Sequence, residues 1–162
     1  MTSGAELVPA SGALRGKSHF YPVRVYYEDT DAGGIVYHAN YLRFAERART
    51  EMLRAIGIHQ RDLKATSGLI FTVYKGDVHY MRPAHLDDAL TVETTLTEIS
   101  GASVRVRQVI RRDEDGADED LVQFNAQVAC VDSEVRAARL PAELRHKLAG
   151  YVVEEQQRSG GK

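Results

Sequence analysis

The apolar residues of this chain change their period after Gly68, and no other feature constrains the fold as much. Across residues 41–57, Tyr41, Phe44, Ala45, Ala48, Met52, Ala55 and Ile56 recur at three-and-four spacing, which marks one buried stripe on a helix. Arg43, Glu46, Arg47, Thr50, Glu51 and Arg54 fall mostly on the other side, and Gly57 is a suitable stop. This helix runs about four and a half turns, close to the diameter of a small domain. Residues 59–67 keep a weak helical period that Gly68 closes. From there the period is two. LIFTVYKGDVHYMRP reads as a strand with a bulge at Gly76, and residues 89–99 and 103–111 as two more. The acidic residues 113–120 read as a long hairpin loop, and LVQFNAQVACVD as the last strand. FYPVRVYY, residues 20–27, adds a strand ahead of the helix, with Pro22 at an edge or strand start. PAELRHKLAG gives a short C-terminal helix. The expectation is an α+β chain: a five-stranded antiparallel sheet, four of its strands in meander order, wrapped around one long central helix. Its open edges and apolar outer surface predict a homo-oligomer.

At 162 residues the chain suits one domain. Residues 1–19, rich in Gly, Ser and Ala, read as a disordered extension, residues 20–150 as the folded domain, and residues 151–162 as a flexible tail. Gly16-Lys17-Ser18 matches the end of a phosphate-binding loop, but Ser11 stands where its first glycine belongs and no strand precedes it. A net charge of −2 offers nothing to nucleic acid. The single cysteine, Cys130, cannot form an internal disulfide and sits in an apolar strand, as a buried structural thiol would. No apolar run reaches the ~18 residues of a membrane span, and the first residues lack the apolar core of a secretory signal. The expected location is cytoplasmic.

Chemistry concentrates in residues 26–41, YYEDTDAGGIVYHANY. Two closely spaced carboxylates, Asp29 and Asp31, precede the pair Gly33-Gly34, then a short apolar run ending in His38, and then the helix. A loop bearing carboxylates and feeding a helix start gathers unpaired N–H groups and a positive dipole end, and so can hold an oxyanion. Turn capping is the alternative reading of both aspartates. Other site chemistries fail. A calcium loop beginning at Asp29 would have Asn40 at its twelfth position, the six histidines show no zinc-binding spacing, and there is no GxSxG elbow. No metal and no organic cofactor is implied.

TDAGGIVYHANYLRFAERARTEML with the upstream RVYYED closely resembles the Tol-Pal-associated acyl-CoA thioesterases of the hotdog fold, in the wider 4-hydroxybenzoyl-CoA thioesterase group. RPAHLDDAL and the closing VACVD are similar to the same family, and the likeness runs over residues 21–148. The resemblance implies a five-stranded sheet around a central helix, assembled as dimers and often tetramers. It implies Asp31 as the catalytic carboxylate and Asp29 as scaffolding. The backbone donor seven residues on corresponds to His38, through its N–H more than its imidazole. Preorganised donors of that kind are worth roughly 3 to 4 kcal/mol each to a developing oxyanion. The carboxylate would attack the thioester carbonyl directly or activate a water. Gly33 and Gly34 suit a backbone turning beside a substrate, and Ile35, Val36 and Tyr37 would line the acyl side or pack the loop. Glu46 resembles the carboxylate position of some other hotdog enzymes, although the Asp31 motif favours a solvated helix residue there.

The resulting expectation is an enzyme that hydrolyses acyl-CoA to the free acid and CoA. A hotdog hydratase or dehydratase would instead pair a histidine with an acidic residue. A third reading is a binding module that holds acyl-CoA or acyl carrier protein for envelope lipid synthesis without turning it over. Lys75, Arg82, Arg105 and Arg107 are the candidates for the CoA phosphates.

Overall fold

The computed structural model describes residues 5–114 and 116–154. One antiparallel sheet of six strands, in the order β1-β2-β4-β5-β6-β3, carries the chain. Its strands are β1 (Ala13–Arg15), β2 (Ser18–Arg24), β3 (Ile70–Tyr80), β4 (Ala89–Ile99), β5 (Ser103–Glu114) and β6 (Ala117–Val131). Three helices, α1 (Asn40–Ile56), α2 (Gln60–Ser67) and α3 (Ala142–Ala149), complete it.

The helix read from the three-and-four stripe is α1. It buries Tyr41, Phe44, Ala45, Ala48 and Met52. It stops where Gly57 turns left-handed at φ 92°, and the Ile58 N–H reaches back to the Leu53 carbonyl at 2.8 Å. At seventeen residues, about 25 Å, it is a short central helix and not one long one. The sheet's apolar face is therefore not covered by α1 alone. Leu63 of α2 and Leu144 and Leu148 of α3 pack into the cluster that holds Met52, Leu96, Val106 and Cys130. A second cluster gathers Val25, Val36, Tyr41, Phe44, Leu90 and Ile110 around the helix start.

The strand count is six, not five. Ala13–Arg15 lies inside the segment expected to be disordered, yet it pairs with Ser18–Phe20 across a turn at Gly16, whose φ is +60°. Residues 16–18, which resemble the end of a phosphate-binding loop, are that hairpin turn and the strand leaving it. At the other end, the Val153 N–H donates to the Leu96 carbonyl at 3.0 Å and Lys17 reaches the Val152 carbonyl at 3.1 Å, so the first residues of the expected tail are tied to the sheet. Residues 155–162 of that tail lie outside the described residues.

Meander order holds only for β4, β5 and β6. β3 pairs with β6, and β2 takes the free edge of β4. Three strand spacings, about 14 Å, separate β3 from β4, and the eight residues 81–88 can span that distance. The bulge falls between Val73 and Lys75 instead of at Gly76. Gly76 has a packing reason, since a Cβ there would stand 2.7 Å from Phe124 Cε2. The acidic stretch expected as a long loop is mostly strand. Arg111 stands opposite Asp120 and Arg112 opposite Glu119, so the charges that look like a solvated loop are cross-strand pairs.

Candidate active site

Residues 27–29 form one 3-10 turn, and Asp29 at its end is buried. Asp29 Oδ2 accepts the Tyr26 N–H at 2.7 Å, Oδ1 accepts Asn40 Nδ2 at 2.6 Å, and its carbonyl accepts the Tyr37 N–H at 2.9 Å. The carboxylate thus fastens the loop's entry and the first residue of α1, and the carbonyl fastens its exit.

Asp31 is placed differently. The Asp31 N–H donates to the Ile35 carbonyl at 2.8 Å and the Gly34 N–H to the Asp31 carbonyl at 3.0 Å, which closes a tight turn with Gly34 at φ +80°. Thr30 bridges Val36 just outside that turn. Oδ1 of Asp31 accepts the Gly33 N–H at 2.8 Å, and no described residue hydrogen-bonds to Oδ2. A Cβ on Gly33 would lie 3.1 Å from that Oδ1, so the glycine keeps the carboxylate unobstructed. The outcome is an exposed carboxylate with one oxygen oriented and the other available.

The far side of the loop leans on residues 83–88. Ile35 bridges His85, the Val36 N–H donates to the Ala84 carbonyl at 2.9 Å, and the Ala84 N–H donates to the Tyr41 hydroxyl at 3.0 Å. Burial pushes the Tyr41 phenol above its usual range. Arg112 holds this support in place. Its Nη1 donates to Asp88 at 2.9 Å and to the Pro83 carbonyl at 3.3 Å, and its Nη2 donates to Glu119 at 2.6 Å. Hydrogen bonds to Glu119, then to Asp88, raise the guanidinium's affinity for its proton. Sequence reasoning missed Arg112 and Ala84. Periodicity shows a charge on a strand but not the loop that the charge reaches.

His38 lies two residues before α1. Its ring sits 4.5 Å from the Tyr37 ring and 6.4 Å from that of Tyr80, and its carbonyl accepts the Tyr80 hydroxyl at 2.8 Å. No described residue accepts its N–H. Ala39 occupies the N-cap of α1 with no side-chain hydrogen bond, and the first turn holds no acidic residue. The positive end of the helix thus has no side-chain cap of its own, and the carboxylate bonded at its first residue is that of Asp29.

A hollow of about 320 Å³ brings Asp31 and this helix start to one place. Tyr37, Ala39, Asn40 and Arg43 line it with Asp31, and Glu28 and Thr30 complete its wall. Gly33, Gly34, Ile35, Val36 and His38 form the loop behind it and are not part of that lining. Arg43 is a cation that sequence reasoning had assigned only to the outer side of the helix. The four candidate phosphate-binding residues stand elsewhere. Lys75, Arg105 and Arg107 line a separate cavity of about 470 Å³ with Gly76, Thr97 and Asn125, and Arg82 is paired with Glu119 at 2.6 Å. Cys130 is fully buried, and burial raises its thiol pKa. Among the described residues no group of three or more His, Cys, Asp or Glu could hold a metal, and no helix is long and apolar enough to cross a membrane.

Residues 25–148 match the thioesterase-like superfamily, and the chain belongs to it. It is 44% identical over 126 residues to acyl-CoA thioesterase YbgC of Haemophilus influenzae, a match that covers 77% of this chain and 90% of that one. It is 48% identical over 112 residues to acyl-CoA thioester hydrolase YbgC of Escherichia coli, covering 69% and 81%. A mutant of 4-hydroxybenzoyl CoA thioesterase, solved in complex with 4-hydroxybenzoyl CoA, superposes with a TM-score of 0.78 at 21% identity over 82% of this chain and 99% of that one. The fold is the hotdog thioesterase fold, α+β, with an antiparallel sheet.

Proposed function

We propose that the chain hydrolyses acyl-CoA thioesters to the free acid and CoA, with Asp31 as the catalytic carboxylate. Relatives named as acyl-CoA thioesterases at 44% and 48% identity support the reaction. The observation that supports the residue is a single hollow that holds both the Asp31 carboxylate and the uncapped start of α1. With the thioester carbonyl oxygen pointed at the His38 N–H and the helix end, charge develops in the transition state where donors already stand. Asp31 then attacks the carbonyl carbon, or takes a proton from a water that does. The C–S bond breaks and the leaving thiolate takes up a proton as CoA; the acid forms directly when water is the nucleophile, and by a water's hydrolysis of the Asp31–acyl anhydride, which restores the carboxylate, when Asp31 is.

Asp31→Asn tests the assignment without disturbing the turn, because an amide oxygen still accepts the Gly33 N–H. Thiol release should fall by about 10² to 10⁴-fold, with the circular dichroism spectrum unchanged. Turnover at the wild-type rate would refute the role. Turnover of an enoyl thioester without thiol release would mark a hydratase, and tight binding without release a carrier.

The same reading places acyl-CoA in the cytoplasm with the enzyme, and an acyl carrier protein as a second thioester donor. The Tol-Pal association rests on the sequence resemblance alone. A homo-oligomer is favoured by β3, an eleven-residue strand hydrogen-bonded on one side only, with Ile70, Val73 and Tyr74 exposed along it.

A further inference from the structure

Two consecutive amides at the start of α1 are bonded at oxygen and open at nitrogen. The Tyr37 carbonyl accepts the Asn40 N–H at 2.8 Å, and the His38 N–H of that same amide has no acceptor among the described residues. The His38 carbonyl accepts the Tyr80 hydroxyl at 2.8 Å, and the N–H of that amide, which belongs to Ala39, likewise has none. Ala39 lines the Asp31 hollow and His38 does not. The first amide takes its oxygen partner from the turn that begins the helix, the second from a strand residue 42 positions away. Tyr80 is held for that contact. It ends β3 opposite Val122, and the Met81 and Arg82 N–H groups just beyond it donate to the Leu121 carbonyl at 2.8 and 3.1 Å. Its ring stands across those of His38 and Tyr41, with centroids 6.4 and 5.9 Å away. A tyrosine 50% exposed could satisfy its hydroxyl with water, so burial does not account for the bond to the loop.

We propose that Tyr80 is a positioning residue for the thioester hydrolysis proposed above, on which this inference rests: it fixes and polarises the His38–Ala39 amide so that the Ala39 N–H serves as a second donor to the thioester oxygen. In a planar trans amide the N–H points away from the C=O, so anchoring the oxygen aims the N–H. A hydrogen bond accepted by the carbonyl also draws charge from the nitrogen and strengthens its N–H as a donor, by roughly 10 to 30% per bond in a chain of such bonds. The oxyanion gains most, because its charge develops only in the transition state. Tyr80 acts through the amide alone and is absent from the lining of the hollow.

Tyr80→Phe removes the hydroxyl and keeps the ring. Thiol release is measured on acetyl-, hexanoyl- and palmitoyl-CoA, and the fastest substrate is carried through. In Tyr80→Phe kcat should fall about three- to ten-fold with KM within about two-fold, as for one neutral hydrogen bond felt in the transition state. Tyr74→Phe removes another hydroxyl of β3, one bonded to Gln127, and should leave kcat unchanged. The second readout is the infrared stretch of an isotope-labelled thioester carbonyl bound to Asp31→Asn. Binding should lower its frequency, and adding Tyr80→Phe should lessen the lowering, an effect that a merely structural role would not produce. An unchanged kcat in Tyr80→Phe, an equal loss in Tyr74→Phe, or a carbonyl stretch indifferent to the hydroxyl would overturn the proposal. So would a loss beyond about 10²-fold, the scale of deleting an oxyanion donor outright, since Tyr80 would then act on the reacting atoms directly. If the wild type releases no thiol from any of the three, the hydrolysis reading fails, and labelled hexanoyl-CoA bound to the wild type still judges the amide. A lowering lessened by Tyr80→Phe supports the role, and no lowering overturns it.

Discussion

Asp29 and Asp31 are two residues apart, chemically identical, and set apart by their hydrogen bonds. Asp29 has both oxygens bonded within the chain, whereas no described residue bonds to Asp31 Oδ2, the oxygen the proposed mechanism uses. The spacing and the glycine pair that mark this loop were legible in the sequence, because they are local. The division of labour came there only from resemblance, since the partners that consume the Asp29 oxygens, Tyr26 N–H and Asn40, are recognisable only once the loop has folded back on the helix. His19 went unread for a related reason. It is fully buried, its Nε2–H donates to the Ser11 carbonyl at 2.9 Å, and its Nδ1 has no partner among the described residues. Burial lowers its pKa, with Ser11 and the nearby Glu51 acting the other way. A histidine whose folded pKa lies below its unfolded value of about 6.5 binds fewer protons folded than unfolded, so stability falls as the pH drops through that value. The melting temperature should decline from pH 7 to pH 5, and His19→Gln should flatten the decline. Equal slopes in the two proteins would show that other groups dominate.

At the scale of elements, the site is a loop held between a helix and a second loop. Residues 83–88, which back the motif, are held by backbone bonds to Val25 and by Arg112, and Arg112 comes from a strand that the sequence ended one residue earlier. Arg112→Met should lower the melting temperature by several degrees and reduce kcat more than KM, because it loosens the backing of Ile35 and Val36 without touching the hollow. Arg136→Met, which removes pairs whose arginine is 72% exposed, should leave both within error. A thermal melt and steady-state kinetics on the two variants decide the point. The β5–β6 hairpin was misread as a loop at this scale for the same cause. Cross-strand pairs such as Arg111 with Asp120 and Glu93 make a run of charges structural, and a one-dimensional pattern shows only its polarity.

Over the whole molecule, fold class and the first helix were readable from periodicity, because one buried face per element leaves a regular trace. Strand order was not. The placement of β3 beside β6 depends on β2 having taken the edge of β4, a contact between residues about seventy apart in sequence. That placement leaves β3 as an edge. Size-exclusion chromatography with light scattering should find at least a dimer, and Ile70→Lys should shift it toward monomer. A wild-type monomer at every concentration would show that the edge is left unpaired in solution. The start of α1 bears on the molecule as a whole in another way. Ala39 supplies no cap, and a Ser, Thr, Asp or Asn in that place typically adds about 1 kcal/mol to a helix. On the mechanism proposed above, the usual stabilising substitution would put the protein's own oxygen where the thioester oxygen is to bind. Selection for a tougher fold and selection for turnover therefore pull one residue in opposite directions, and a thermostable descendant would have to find its margin elsewhere, in its loops, its edges or its assembly.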